Sequence, residues 1–209
     1  MTSAKFDQAA CEALAQQVRE IESNTDAEIV IVVRARSGPY RHADYLCGAA
    51  LSFAGLLFVL LSPFEFHTYW VALDVALLFA IGAFVSSRNN LIRRLLTTRK
   101  FRAKAARTGA AAMFYEAGIA NTHAENGLLI YLSLLEQRLE VFADRGILTS
   151  VPALEWNHAL FELNQAGRRA DPGSLTKALH DLGQLLAKHK PATGENPNEL
   201  PDMPRFELK

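Results

Sequence analysis

Hydrophobic and polar positions follow three different patterns along this chain, and each predicts a different kind of element. Between Ser3 and Ser23, Phe6, Ala10, Leu14, Val18 and Ile21 recur at spacings of three and four, which predicts an amphipathic helix with Ser3 as its N-cap. Glu28 to Arg34 is a run of β-branched residues, apolar on both faces, as expected of an interior strand covered on two sides. From Tyr45 to Ser87 the periodicity disappears. Tyr45 to Ser62 has no charge, and Tyr69 to Ser87 carries only Asp74. At ~1.5 Å per residue each half covers roughly 27–28 Å, close to the ~30 Å hydrocarbon core of a bilayer. The turn between them, Pro63 to Thr68, is too short to hold a domain, so the pattern predicts a two-helix membrane hairpin. Gly48, Gly55 and Gly82 suit close helix approach in lipid, while Phe64, Phe66, Tyr69 and Trp70 cluster where headgroups would lie. Asp74, about one turn inside that boundary, reads as a hydrated interfacial acid.

Helical periodicity resumes from Asn89 to Ala117, with Gly118 as its C-cap. A polar connector, Ile119 to Asn126, leads to two strands, Gly127 to Ser133 and Arg138 to Ala143, joined by a Leu134 to Gln137 turn as an antiparallel hairpin. A helix over Ala153 to Ala166 is expected to stop at Gly167, and another, capped by Ser174, runs to about His189. The proline-rich segment 191–209 reads as an extended or disordered tail. If the first two strands are parallel, a right-handed crossover places helices against the sheet. The expected fold is therefore a small α/β/α sandwich from residues 1–41 and 88–190, with a transmembrane hairpin, 45–87, inserted after the first strand.

Net charge is zero, so bulk electrostatics name no partner, but its distribution sets an orientation. Arg34, Arg36 and Arg41 precede the hairpin; Arg88, Arg93, Arg94, Arg99, Lys100, Arg102, Lys104 and Arg107 follow it; the turn has only the acid Glu65. By the positive-inside rule the turn faces outward and both termini are cytoplasmic, in a multi-pass inner-membrane protein. The basic run suits anionic lipid better than nucleic acid. Met1 to Ile21 is polar and acidic where a cleavable signal needs an apolar run, so the hairpin is expected to act as an internal anchor. Cys11 and Cys47 fall in unlike surroundings and suggest neither a disulfide nor a metal-ligand pair. The oligomeric state is unspecified.

Several ordered segments resemble the TPM domain family, named for thylakoid lumen proteins, photosystem II repair proteins and a modulator of nematode acetylcholine receptors. They are Thr25-Asp-Ala-Glu-Ile-Val-Ile-Val-Val33, Phe114-Tyr-Glu-Ala-Gly-Ile-Ala-Asn-Thr122, Asn126-Gly-Leu-Leu-Ile-Tyr-Leu-Ser133, Arg138-Leu-Glu-Val-Phe-Ala-Asp-Arg-Gly-Ile147 with Trp156 after it, and the closing Asn198-Glu-Leu-Pro-Asp202. The resemblance spans roughly residues 10 to 202, with the hairpin as an insertion. It implies an α/β/α domain linked to assembly or repair of membrane complexes, divalent-cation binding in some members, and an acid phosphatase activity ascribed to plant members. Many members hold the domain outside the cytoplasmic membrane on a terminal helix, so the internal hairpin and its basic flanks depart from the pattern.

The expected topology gathers one constellation of possible ligands. Two parallel strands begin at one sheet edge, and the antiparallel third ends there, which brings Glu28, the connector Thr122 to Asn126, and Asp144 together. Two carboxylates with the Thr122 hydroxyl, the Asn126 amide and backbone carbonyls would give a hard divalent cation, calcium or magnesium, its oxygen shell. In the family resemblance Asp144 falls at a recurrent polar position. The same residues also suit a strand-end charge at Glu28 and an Asx-turn or helix N-cap at Asp144. His123, His158 and Arg145 could serve phosphate chemistry, but no P-loop, HExxH, CxxC pair or GxSxG appears. The leading expectation is a non-enzymatic, membrane-tethered domain that assists assembly, repair or stress maintenance of a membrane protein client. The alternative is a divalent-cation-dependent acid phosphatase.

Overall fold

A computed structural model of the chain describes residues 6–64, 66–122, 124–169, 171–194 and 199–208. The expected Ser3 cap, the acid Glu65, His123 and Asn198 lie outside these residues. The chain divides into two compact units, Gly38–Arg102 and the remainder on either side of it.

The larger unit is mixed α/β. Helix α1, Gln8–Glu22, starts one turn later than its apolar pattern, because Asp7 caps it by accepting the Ala10 amide at 2.9 Å. Strands β1, Glu28–Arg34, and β2, Gly127–Ser133, pair in parallel over their full length, Glu28 opposite Gly127 and Arg34 opposite Ser133. Strand β3, Arg138–Ala143, returns antiparallel to β2. The tail is not merely extended: it adds a strand β4, Arg205–Glu207, parallel to β1, so the sheet order is β3-β2-β1-β4. It reaches that place through side-chain anchors. Thr25 Oγ1 donates to the Lys190 carbonyl at 2.5 Å, Thr193 donates from its amide and its hydroxyl to Asp26, each at 2.9 Å, and Leu200 is buried.

The two-residue strand period sorts side chains into two cores. Ile29, Ile31 and Val33 with Leu128, Ile130 and Leu132 pack against Leu14, Val18 and Ile21 of α1, Trp156 and Leu163 of one later helix, and Leu175, Leu179, Leu182 and Leu186 of the next. Val30, Val32, Leu129 and Tyr131 face the other way, onto Ala110, Met113, Phe114, Ile119 and Leu200. Helices therefore flank both faces, and the two central strands β1 and β2 are buried on both sides, Arg34 alone being half-buried.

In the smaller unit, α2, Arg41–Leu61, and α3, Thr68–Arg88, run back along each other and are long and apolar enough to cross a membrane, with mean hydropathy 1.9. The expected long helix after them is broken. Helix α4, Asn90–Leu95, ends where Thr97 Oγ1 donates to the Arg93 carbonyl at 2.6 Å, and Thr98 Oγ1 accepts the Phe101 amide to start α5, Arg99–Glu116.

Past β3 the chain forms α6, Arg145–Ser150, then α7, Ala153–Arg169, and α8, Pro172–His189. Gly167 does not stop α7. It lies inside the helix, where a Cβ would stand 2.5 Å from Leu139 Cβ, so it lets α7 approach β3 closely. The cap of α8 is Asp171, whose Oδ2 accepts the Ser174 amide at 3.0 Å and its hydroxyl at 3.1 Å.

Candidate functional site

The turn between α5 and β2 is built by local backbone demands. Gly118 ends α5 with φ +73°, and Ile119–Asn121 forms a single 3-10 turn. Thr122 then folds the connector onto itself: its carbonyl accepts the Glu125 amide at 3.1 Å and its Oγ1 accepts the Asn126 amide at 3.0 Å. Glu125 takes the left-handed conformation, φ 52°, that this tight loop requires. The Asn126 carbonyl accepts the Glu28 amide at 3.1 Å, which registers the loop against the start of β1.

Asp144 arrives from β3. Its amide donates to the Gly127 carbonyl at 2.9 Å, and its Oδ1 caps α6 by accepting the Arg145 amide at 2.8 Å. Gly146 donates to the Glu125 carbonyl at 3.0 Å. A Cβ at Gly146 would stand 2.6 Å from Glu125 O, 2.9 Å from Ala124 O and 3.1 Å from Asn126 Oδ1, so three oxygens gather around this glycine. Thr122 and Asn126 are buried and Asp144 is half-buried. Asn126 Oδ1 and Asp144 Oδ2 are buried oxygens that accept no hydrogen bond among the described residues. Leaving one such acceptor unsatisfied costs about 1–3 kcal/mol. The donor set is entirely oxygen and carries a single carboxylate charge, which fits a hard divalent cation and does not fit thiophilic or imidazole-loving metals. Among the described residues no cluster of three His, Cys, Asp or Glu side chains stands ready to hold a metal, so any such centre relies on neutral oxygens.

Glu28 is placed differently from the other three. Its Oε2 accepts the Leu200 amide at 3.2 Å, and it lines a cleft of about 350 Å³ with Arg19, Glu22, Asp26 and Asp202, which none of Thr122, Asn126 and Asp144 lines. Burial raises the Glu28 carboxyl above its usual range, against the lowering pull of the Leu200 and Glu199 amides. Glu22, whose Oε1 accepts the Ile29 amide at 2.8 Å, is pushed up to about 8, first by burial and then by the charges of Asp202 and Glu28. This carboxylate group ties the tail and α1 to the head of β1. Of the candidate phosphate residues, Arg145 is exposed, and His158 lines a groove between α7 and α8.

Sequence reasoning missed a second polar group at the opposite ends of β1 and β2. Ser37 Oγ lies 2.8 Å from Tyr131 Oη and 2.6 Å from Ser133 Oγ, and Glu136 accepts from the Ser37 amide at 2.9 Å and from the Ser133 hydroxyl. Ser133 and Glu136 are buried. The network pins the residue at which the chain leaves the larger unit. Only a serine and a glutamate flanking the apolar pair Leu134-Leu135 hinted at it.

No family model matches this chain, and no curated protein matches it. Its fold is similar to that of the NMR structure of BA42 protein from the psychrophilic bacterium Bizionia argentinensis, with a TM-score of 0.56 over 96% of this chain and 94% of that one. Identity is 16%, so the likeness is one of fold alone.

Proposed function

We propose that this chain is a TPM-like α/β/α domain carried on a membrane-crossing hairpin, and that it assists assembly, repair or stress maintenance of a membrane protein complex. The observation that carries the reading is that the hairpin is inside out relative to a water-soluble one. Its seam is small and polar: a Cβ at Gly82 would stand 2.9 Å from Gly48 Cα, Ser52 Oγ donates to the Val75 carbonyl at 2.8 Å, and Asp44 is buried. Its exterior carries Phe53, Phe58, Leu60, Leu61, Leu73, Leu77 and Phe84, all more than half exposed. In water that surface would be an aggregation site; in lipid it is solvated, and small residues at the seam are how membrane helices pack. The arginines flanking the hairpin orient the turn outward and both termini to the cytoplasm of the inner membrane.

Thr122, Asn126 and Asp144, with the Ala124 and Glu125 carbonyls, are the residues that would hold a divalent cation. Its role would be structural, neutralising the orphan oxygens and stiffening the loop that joins α5, β2 and α6. The Thr122 hydroxyl oxygen accepts the Asn126 amide, which supports a structural role for it over a nucleophilic one. Cross-linking in native membranes followed by affinity purification tests the role. One membrane complex is expected to co-purify with the wild type and with D144A alike. Turnover of p-nitrophenyl phosphate that D144A abolishes would replace this reading with a phosphatase.

A further inference from the structure

Helices α7 and α8 both belong to the larger unit, and a groove of about 590 Å³ runs between them. Its apolar lining is Ala159 of α7 with Ala178, Leu182 and Leu185 of α8. Alanine at 159 and 178 is too small to close the space between the two helices, which keeps the groove open. Leu154, 84% exposed, lines it as well, and Phe161, 58% exposed, lies seven positions further along the same face of α7. The helix therefore buries Trp156 and Leu163 on one side and holds a second apolar strip in water on another.

The rim of the groove has one sign of charge. Glu155 and Glu162 stand on the α7 side and Asp181 on the α8 side, and no lysine or arginine lines the groove. Glu155 is held by Lys188 Nζ at 2.9 Å and His189 Nε2 at 3.1 Å. Glu162 and Asp181, one on each helix, are exposed and enter no ion pair among the described residues. These walls select a cationic occupant. Anionic headgroups and nucleic acid meet repulsion there, and a two-fold pair of copies joined through the groove sets the same acids against each other.

We propose that the groove between α7 and α8 is the docking site for a basic amphipathic helix, the cytoplasmic flank of a membrane-spanning segment in the client protein. This rests on the assembly role proposed above and names the part of the client that the chain grips. Cytoplasmic flanks of membrane helices are rich in lysine and arginine, and those that lie along the interface have one apolar face. At ~1.5 Å per residue, Leu154 to Glu162 spans about 12 Å, room for apolar anchors at i, i+4 and i+7 of such a helix. The anchors meet Leu154, Leu182 and Leu185, while basic residues on either side of them meet Glu162 on one wall and Asp181 on the other. Burial then supplies the affinity and the acids supply the choice of partner.

The test uses the full chain in phosphatidylcholine nanodiscs and a fluorescent peptide of about 14 residues, four helical turns, with leucines at i, i+4 and i+7 and lysines beside them. Anisotropy, corrected for empty discs, reads binding. Wild type is expected to bind this peptide about tenfold more tightly than a version with glutamate in place of lysine, the scale of exchanging two attractive contacts for two repulsive ones. E162K/D181K is expected to reverse that order, which also shows that the variant folds. L154D is expected to weaken the lysine peptide about tenfold by removing an exposed anchor. E12K/E116K makes the same change of net charge at exposed positions on α1 and α5 and is expected to keep the wild-type order. No binding by wild type, or a reversal in E12K/E116K as well, overturns the proposal. A wild-type dimer in sedimentation that L154D dissociates gives the groove to a second copy and overturns it too. Cross-linking in native membranes separates this inference from the assembly role. A complex that co-purifies equally with wild type and E162K/D181K keeps the assembly role and overturns the groove. Peptide binding that reverses with the rim, with no complex recovered, keeps the groove as a basic-helix site and removes the assembly role.

Discussion

At the scale of single residues, the decisive groups are two oxygens with nothing to accept. Among the described residues nothing donates to Asn126 Oδ1 or Asp144 Oδ2, and Asn126 Oδ1 sits with the Ala124 and Glu125 carbonyls around Gly146. Calcium is expected to raise the unfolding midpoint of the wild type, by ~2.7 kcal/mol of stabilisation at a hundredfold excess over its dissociation constant, and to leave D144A unmoved. G146A is expected to lose the same response, because its methyl group would occupy the space those oxygens share. Glu22 makes a separate prediction about pH. Its folded-state value, raised to about 8, lies above its ordinary 4.5, so across that window the folded chain holds a proton that the unfolded chain releases. Stability is therefore greatest at the acid end and declines as pH rises toward about 8, a trend that E22Q is expected to flatten in denaturant titrations. Asp144 and Asn126 could be read from sequence because strand direction alone places a connector beside the end of β3. The fate of the Glu28 side chain could not, since it depends on the Leu200 amide, 172 positions away.

At the scale of elements, close approach and buried pairing decide more than propensity. Gly167 shows the limit of reading glycine as punctuation: its missing Cβ is needed by Leu139 in the middle of α7, not by the end of a helix. G167A is expected to destabilise the larger unit by ~1–3 kcal/mol through overpacking, measurable in chemical unfolding. The base of the hairpin depends on Asp44 and Arg93, whose facing side chains join α2 to α4. Removing one charge strands the other, so D44A is expected to lose ~3–5 kcal/mol of stability, while D44L/R93M recovers most of it; helicity in micelles titrated with denaturing detergent reads both. The apolar stretches were legible from composition, but this ion pair was not, because its partners are 49 positions apart and each looks like ordinary flanking charge. The break at Leu96 to Thr98 was equally hidden, since threonine ends a helix only when its hydroxyl turns back on the carbonyl of the preceding turn.

At the scale of the whole molecule, strand periodicity carried most of the fold. The β1, β2 and β3 ranges, their parallel and antiparallel pairings, and the two-sided burial all follow from where β-branched residues and turns fall. Strand β4 does not, because three residues in a proline-rich tail become a strand only when Thr25 and Asp26 hold the chain beside β1. What the chain does depends on a partition that one residue can report. Phe64, 70% exposed beside the hairpin turn, can be changed to cysteine in a background with Cys11 and Cys47 replaced by serine. Treatment of intact cells with a membrane-impermeant maleimide is expected to label F64C fully. Labelling that appears only after lysis would contradict the account.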